Sequence, residues 1–130
     1  MQEIRVPISP GELLDKITIL EIKSERIDDP DKLANVRSEL DTLRRVWSEA
    51  VPPDDVVAEL HNQLRSINEE LWEIEDAIRD EEREKRFRER FIELARAVYV
   101  TNDKRARAKR DLNAHLGSKI VEEKSYKDYR

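Results

Sequence analysis

The sequence contains no cysteine, which excludes disulfides and thiol catalysis. Glycine occurs twice and proline five times in 130 residues, too few turn formers for a fold of many short strands. Neither glycine lies in a glycine-rich phosphate loop. The two histidines, His61 and His115, fall on different segments, so a histidine-based metal site is not expected. No run approaches the ~18 apolar residues of a membrane span. The opening residues MQEIRVPISPGELL lack the basic region and apolar stretch of a secretory signal, and a cytoplasmic location is expected.

Charge, by contrast, is abundant. Charged residues make up 42% of the chain and apolar ones 38%, the composition of long amphipathic helices. The formal net charge of -5 argues against a dedicated nucleic-acid binder. By length the chain is one domain, with an arm over 1–9, a helical bundle over 10–116 and a tail over 117–130.

Periodicity places four helices. In residues 1–8, Ile4, Val6 and Ile8 alternate with polar neighbours, as in a short extended arm. Ser9-Pro10-Gly11-Glu12 then forms a helix start, with Ser9 as cap, Pro10 in the first turn and Glu12 at the capping-box position. Helix 1 is expected over about 10–27, apolar on two faces and therefore sandwiched between neighbours. Asp28-Asp29-Pro30-Asp31 breaks the chain and opens helix 2, about 30–49, with Leu33, Val36, Leu40, Leu43 and Trp47 on one stripe. After the break at Val51-Pro52-Pro53-Asp54-Asp55, helix 3 carries a coiled-coil-like seam running from Val57 through Leu64 and Leu71 to Ile78. The charged run RDEEREKR (79–86) is either a turn or a continuation of helix 3. Helix 4 is expected from Phe87 to about 116, with Gly117 as its C-cap. Ile120-Val121 could pair with the arm. The acids of helix 3 and the bases of helix 4 suggest that the two helices face each other as a charged hairpin.

One anomaly points to a site. The stripe Phe87, Phe91, Leu94, Val98 projects forward, at ~100° per residue, onto Asn102, Arg105, Lys109 and Asn113. The inward face of helix 4 thus becomes polar and cationic halfway along. Buried cations need carboxylates, a wet cleft or a partner. If helices 1, 3 and 4 pack together, Asp15 and Lys16 converge with Asn68, Trp72 and Glu75 and with Asn102, Arg105 and Lys109. Such a set could be a register-fixing ion-pair network, a ligand cleft or an oligomer interface.

A second signal is Glu69-Glu70-x-x-Glu73, a spacing at which acids can share Mg²⁺, as in the all-α nucleotide pyrophosphohydrolases. Their second acidic pair is missing here, because Glu93 is followed by Arg96. Glu69, Glu73, Asp76 and Asp80 also lie opposite the helix 3 seam, so a solvated acidic face is the better reading.

The segments ISPGELLDKITILEIKSERI (8–27), INEELWEIEDAIR (67–79), VYVTNDKRARAKRDLN (98–113) and LGSKIVEEKSY (116–126) resemble a small bacterial all-α family of unknown function. That resemblance implies an all-α fold and carries over no reaction, cofactor or site residue. The expected protein is an all-α antiparallel bundle of about four long helices with an extended arm and a tail. Its leading functional reading is a binding or scaffolding module that self-associates with a second copy or binds another protein. The alternative is a small-molecule enzyme or binder acting on a phosphorylated ligand, a nucleotide or nucleotide-sugar. There Lys16, Arg105 and Lys109 would hold phosphates, and Glu12, Asp15 or Glu75 would take Mg²⁺; no other cofactor is expected.

Overall fold

The computed structural model contains four helices and no strand: α1 (Pro10–Arg26), α2 (Pro30–Ala50), α3 (Asp55–Arg83) and α4 (Glu89–His115). Three helix starts are capped by side chains, the first by Ser9 as expected. Ser9 Oγ accepts from the Glu12 amide at 3.2 Å, Asp29 Oδ1 from those of Asp31 and Lys32, and Asp54 Oδ1 from those of Val56 and Val57. Each bond satisfies amides that the first helical turn leaves without a partner.

The ends of α3 and α4 share one device. At Gly117 (φ 65°) the chain turns left-handed, the Gly117 amide donating to Ala114 O at 3.2 Å and that of Ser118 to Asn113 O at 2.8 Å. At the far end Lys85 adopts the same conformation (φ 57°), with Lys85 N–H on Glu82 O and Arg86 N–H on Glu81 O. The charged run is therefore both a continuation and a turn: α3 extends to Arg83 and reverses at Glu84–Lys85. Phe87 precedes α4 instead of starting it, and packs edge-on against Phe91 at 5.2 Å between centroids.

Helix α1 is the centre of the bundle. It touches each of the other three helices, whereas α2 touches α1 alone and α3 packs against α4 as an antiparallel hairpin. This explains its two apolar faces: Leu13, Leu14, Ile17, Leu20 and Ile22 are all buried. The first four form one core with Leu40 of α2, Val57, Leu60 and Leu64 of α3, and Ala108 and Leu112 of α4. Leu14, Leu64 and Leu112 are essentially inaccessible, and burying each contributes about 1.5–3 kcal/mol. Along α3 the buried line passes through Asn68 where the apolar pattern pointed to Ile67, which is half-buried.

Two expectations are corrected here. No ion pair joins an acid of α3 to a cation of α4. The α3 acids that pair do so elsewhere, Glu73 with Arg26 of α1 at 2.5 Å, Glu69 with Arg65 and Glu75 with Arg79 on their own helix. Ile120-Val121 does not pair with the arm; both segments lack regular structure, and Ile4 and Val6 are 80% and 68% exposed.

Candidate functional site

The inward face of α4 is polar, and the structure shows what it meets. Gly11 brings the start of α1 against the end of α4, its amide donating to Asn113 Oδ1 at 2.7 Å. A Cβ at position 11 would lie 2.6 Å from Lys109 O, so only glycine permits this approach. From that contact α1 and α4 run antiparallel, and two carboxylates of α1 meet two cations of α4. Glu12 Oε2 lies 2.7 Å from Lys109 Nζ, and Asp15 Oδ1 lies 3.3 Å from Arg105 Nε. Acids three apart oppose bases four apart in reverse order, which matches helical pitch on both sides.

Asp15 is 2% exposed and is the hub of this network. Asn68 of α3 donates through Nδ2 to Asp15 Oδ1 and to Thr18 Oγ1, both at 2.9 Å. Thr18 Oγ1 donates in turn to Asp15 O at 2.8 Å. Three helices are thus tied at one buried carboxylate. Lys109 has a second partner, Glu122 of the tail, at 2.9 Å. Burial pulls the Lys109 ammonium down, but hydrogen bonds to Glu12 and Glu122 outweigh it and hold the group above its ordinary value. Glu122 is held low chiefly by the hydrogen bond from Lys109.

Above this network a cleft of ≈ 390 Å³ opens between α1, α3 and α4, with Asn68, Trp72, Glu75, Asn102 and Arg105 among its lining residues. These are five of the eight residues that sequence reasoning grouped. Of the remainder, Asp15 lies beneath the cleft holding Asn68 and Arg105, Lys109 is buried in its own ion pairs, and Lys16 is exposed on α1 outside the lining. Sequence reasoning missed Ile19, Asp76 and Arg79 in the wall, and missed Glu12 and Glu122 as the partners of Lys109.

The cleft presents several groups without partners in the chain. Arg105 meets Asp15 through Nε and its terminal nitrogens make no hydrogen bond in the chain, the Asn102 side-chain amide makes none, and Asn68 Oδ1 accepts none although the residue is 5% exposed. Trp72 supplies an aromatic wall and is covered on one side by Arg26, 5.6 Å from its centroid. Glu75 is ion-paired with Arg79 at the rim. Glu12, Asp15 and Glu75 do not come together, and no three carboxylate or histidine side chains gather as a metal set. Each of the three is engaged by a different cation: Lys109, Arg105 and Arg79.

A second buried carboxylate, Glu21, lies on the α2 side of α1. His61 Nε2 is 2.8 Å from its Oε1, and Arg44 Nη2 donates to its Oε2 at 2.9 Å. Burial raises this carboxyl, but the hydrogen bonds of His61 and Arg44 outweigh that and hold it below the usual range.

The fold and site together define a small all-α bundle with a polar cleft set over a buried ion-pair network. The chain belongs to the family of unknown function DUF6165, which matches residues 4–129. Among curated proteins and among solved structures nothing matches it. No helix is long and apolar enough to cross a membrane.

Proposed function

We propose that the protein is a helical binding module that takes a small, hydrogen-bonding ring compound in the cleft between α1, α3 and α4. One observation carries this reading: α3 and α4, packed on α1, hold Asn68, Asn102 and Arg105 with unpaired polar atoms around one cleft, beside Trp72. A few fixed polar groups against an aromatic wall are the usual composition of a small-molecule site. The charges of the wall balance, Arg79 and Arg105 against Glu75 and Asp76, which suits a ligand without large net charge. This favours a hydroxylated ring, as in a monosaccharide or nucleoside, over a phosphorylated ligand at this place. Lys16 stands outside the cleft and Lys109 is already neutralised.

The test is an NMR titration of the full chain with a panel of monosaccharides and nucleosides, following the Trp72 indole N–H. The expected result is a saturable shift that Arg105→Ala and Asn102→Ala each weaken about tenfold, the loss of one charged or polar hydrogen bond. Shifts that survive both substitutions, in chains that remain helical, would overturn it.

Self-association is the second reading, favoured by the arm, whose alternating Ile4 and Val6 lie open to solvent. Pairing of two extended arms would cover them. Sedimentation across a concentration series should show a dimer that Ile4→Ser with Val6→Ser abolishes; a monomer at every concentration removes this reading.

A further inference from the structure

The side of α4 turned away from the cleft carries Arg107 and Arg110, three residues apart and so on one face. Neither makes an ion pair, although Lys109 and Arg105 on the same helix are both neutralised. Beyond Gly117 the chain doubles back along this face. Two contacts fix its path: Glu122 on Lys109 at 2.9 Å, and Tyr129 packed edge-on against Tyr99 of α4 with centroids 5.0 Å apart. The returning segment carries Lys124, Lys127 and Arg130 to the same place as Arg107 and Arg110, around a cleft of ≈ 300 Å³. Five cations there face two carboxylates, Asp103 and Asp128, in a chain whose net charge is -5. None of the five lies within ion-pairing distance of an acid. Bringing like charges together from segments far apart in sequence opposes folding, and the opposition disappears when an anion sits between them.

We propose that this cleft is an anion site for a phosphorylated small molecule. The planar guanidinium groups of Arg107 and Arg110 match phosphate oxygens in pairs, and the lysines of the tail close over them. Tyr126 lines the cleft and is 84% exposed, so although Lys124 Nζ lies over its ring at 5.8 Å, the opposite face is open to whatever the phosphate is attached to. A cleft of this size takes a mononucleotide or a sugar phosphate and not a folded nucleic acid. The site shares no residue with the α1–α3–α4 cleft and stands independently of the reading given for it.

Calorimetry on the full chain, with inorganic pyrophosphate, a nucleoside diphosphate and a hexose phosphate as separate probes, tests the proposal. Saturable binding is expected, weakened about tenfold or more in Arg107→Ala/Arg110→Ala. It should be unchanged in Arg37→Ala/Arg45→Ala, which removes two exposed, unpaired arginines from α2. Tyr126→Ala separates the sources: loss for the nucleoside diphosphate but not for pyrophosphate assigns the ring to a base, and loss for the hexose phosphate alone assigns it to a sugar. Equal weakening in the two arginine double variants would reduce the effect to nonspecific charge and overturn the proposal. Absence of saturable binding for all three probes, or binding of a single-stranded oligonucleotide alone, would overturn it as well.

Discussion

Glu122, in a tail without regular structure, places Oε2 2.9 Å from Nζ of Lys109, a side chain that is 6% exposed. Glu12 holds the same ammonium at 2.7 Å, so one buried cation ties the first helix, the last helix and the tail together.

The two carboxylates are 39% and 43% exposed, so each can return to water when its partner is lost, whereas Lys109 cannot. Glu122→Ala alone should therefore cost only about 1 kcal/mol, because Glu12 still neutralises the ammonium. Removing both carboxylates leaves a buried, uncompensated charge and should cost about 3–5 kcal/mol. The double variant should exceed the sum of the singles, a coupling that urea denaturation of the four proteins measures. Additive losses would show that Lys109 finds water on its own.

The two glycines should respond differently to alanine. A Cβ at Gly11 meets the backbone oxygen of Lys109 at 2.6 Å, so Gly11→Ala must push α1 off α4. About 1–3 kcal/mol of destabilisation is expected, with disturbance of the Gly11–Asn113 hydrogen bond. At Gly117 nothing lies within 4 Å and only the left-handed backbone objects, which costs roughly 1 kcal/mol. Thermal unfolding of both variants should rank Gly11→Ala as the less stable.

Much of this architecture is legible in the sequence because it is local. Ser9, Asp29, Asp54 and Gly117 act where their spacing to the apolar stripes places them. The inward polar face of α4 is legible for the same reason, since the angle from Leu94 and Val98 to Arg105 and Lys109 is fixed by helix geometry. What each cation meets is a tertiary fact. Asp15 could be guessed as a partner of that face because it lies on a buried side of α1. Glu12 stands in a capping position, yet its side chain turns to Lys109 and makes no bond back to Ser9. Glu122 belongs to a segment with no periodicity to give its path. The two helices do pair as a hairpin, but charge alone does not say which cation an acid meets: the ion pairs of Glu69, Glu73 and Glu75 are made within α3 and to α1. The turn at Lys85 carries no glycine to announce it.

That turn offers a stabilising change. Lys85 holds φ 57°, a conformation glycine adopts without strain and other residues at a penalty of roughly 1–2 kcal/mol. Its ion pair with Glu82, at 3.4 Å between exposed groups, contributes little. Lys85→Gly should raise stability by about 0.5–1 kcal/mol, visible as a melting temperature a few degrees higher. An unchanged or lower melting temperature would mean that the lysine is held there by something other than the turn.

The buried ion pairs also fix how stability depends on pH. Glu21 is raised by burial but lowered more by the hydrogen bonds of His61 and Arg44, so its folded value lies below its unfolded one. Its contribution is complete above the unfolded carboxylate value of about 4.3 and disappears as pH falls through the folded value. Glu122, lowered by Lys109, acts in the same acid window. Lys109 has the opposite sign. Its folded value is raised, so its contribution is complete below the unfolded value of about 10.4 and is lost as pH rises through the folded one. These groups therefore leave stability level between the two windows, with one limb falling in acid and the other in alkali. Glu21→Gln keeps the side-chain volume and removes one titration, so it should make the acid limb shallower, leaving the share of Glu122, and keep the alkaline limb intact. Lys109→Met should remove the alkaline limb and, because Lys109 is what lowers Glu122, take Glu122's share of the acid limb with it. Urea midpoints measured across the pH range for the three proteins check both, and an acid limb equally steep in Glu21→Gln would move the origin of acid sensitivity to carboxylates outside the His61–Glu21–Arg44 cluster.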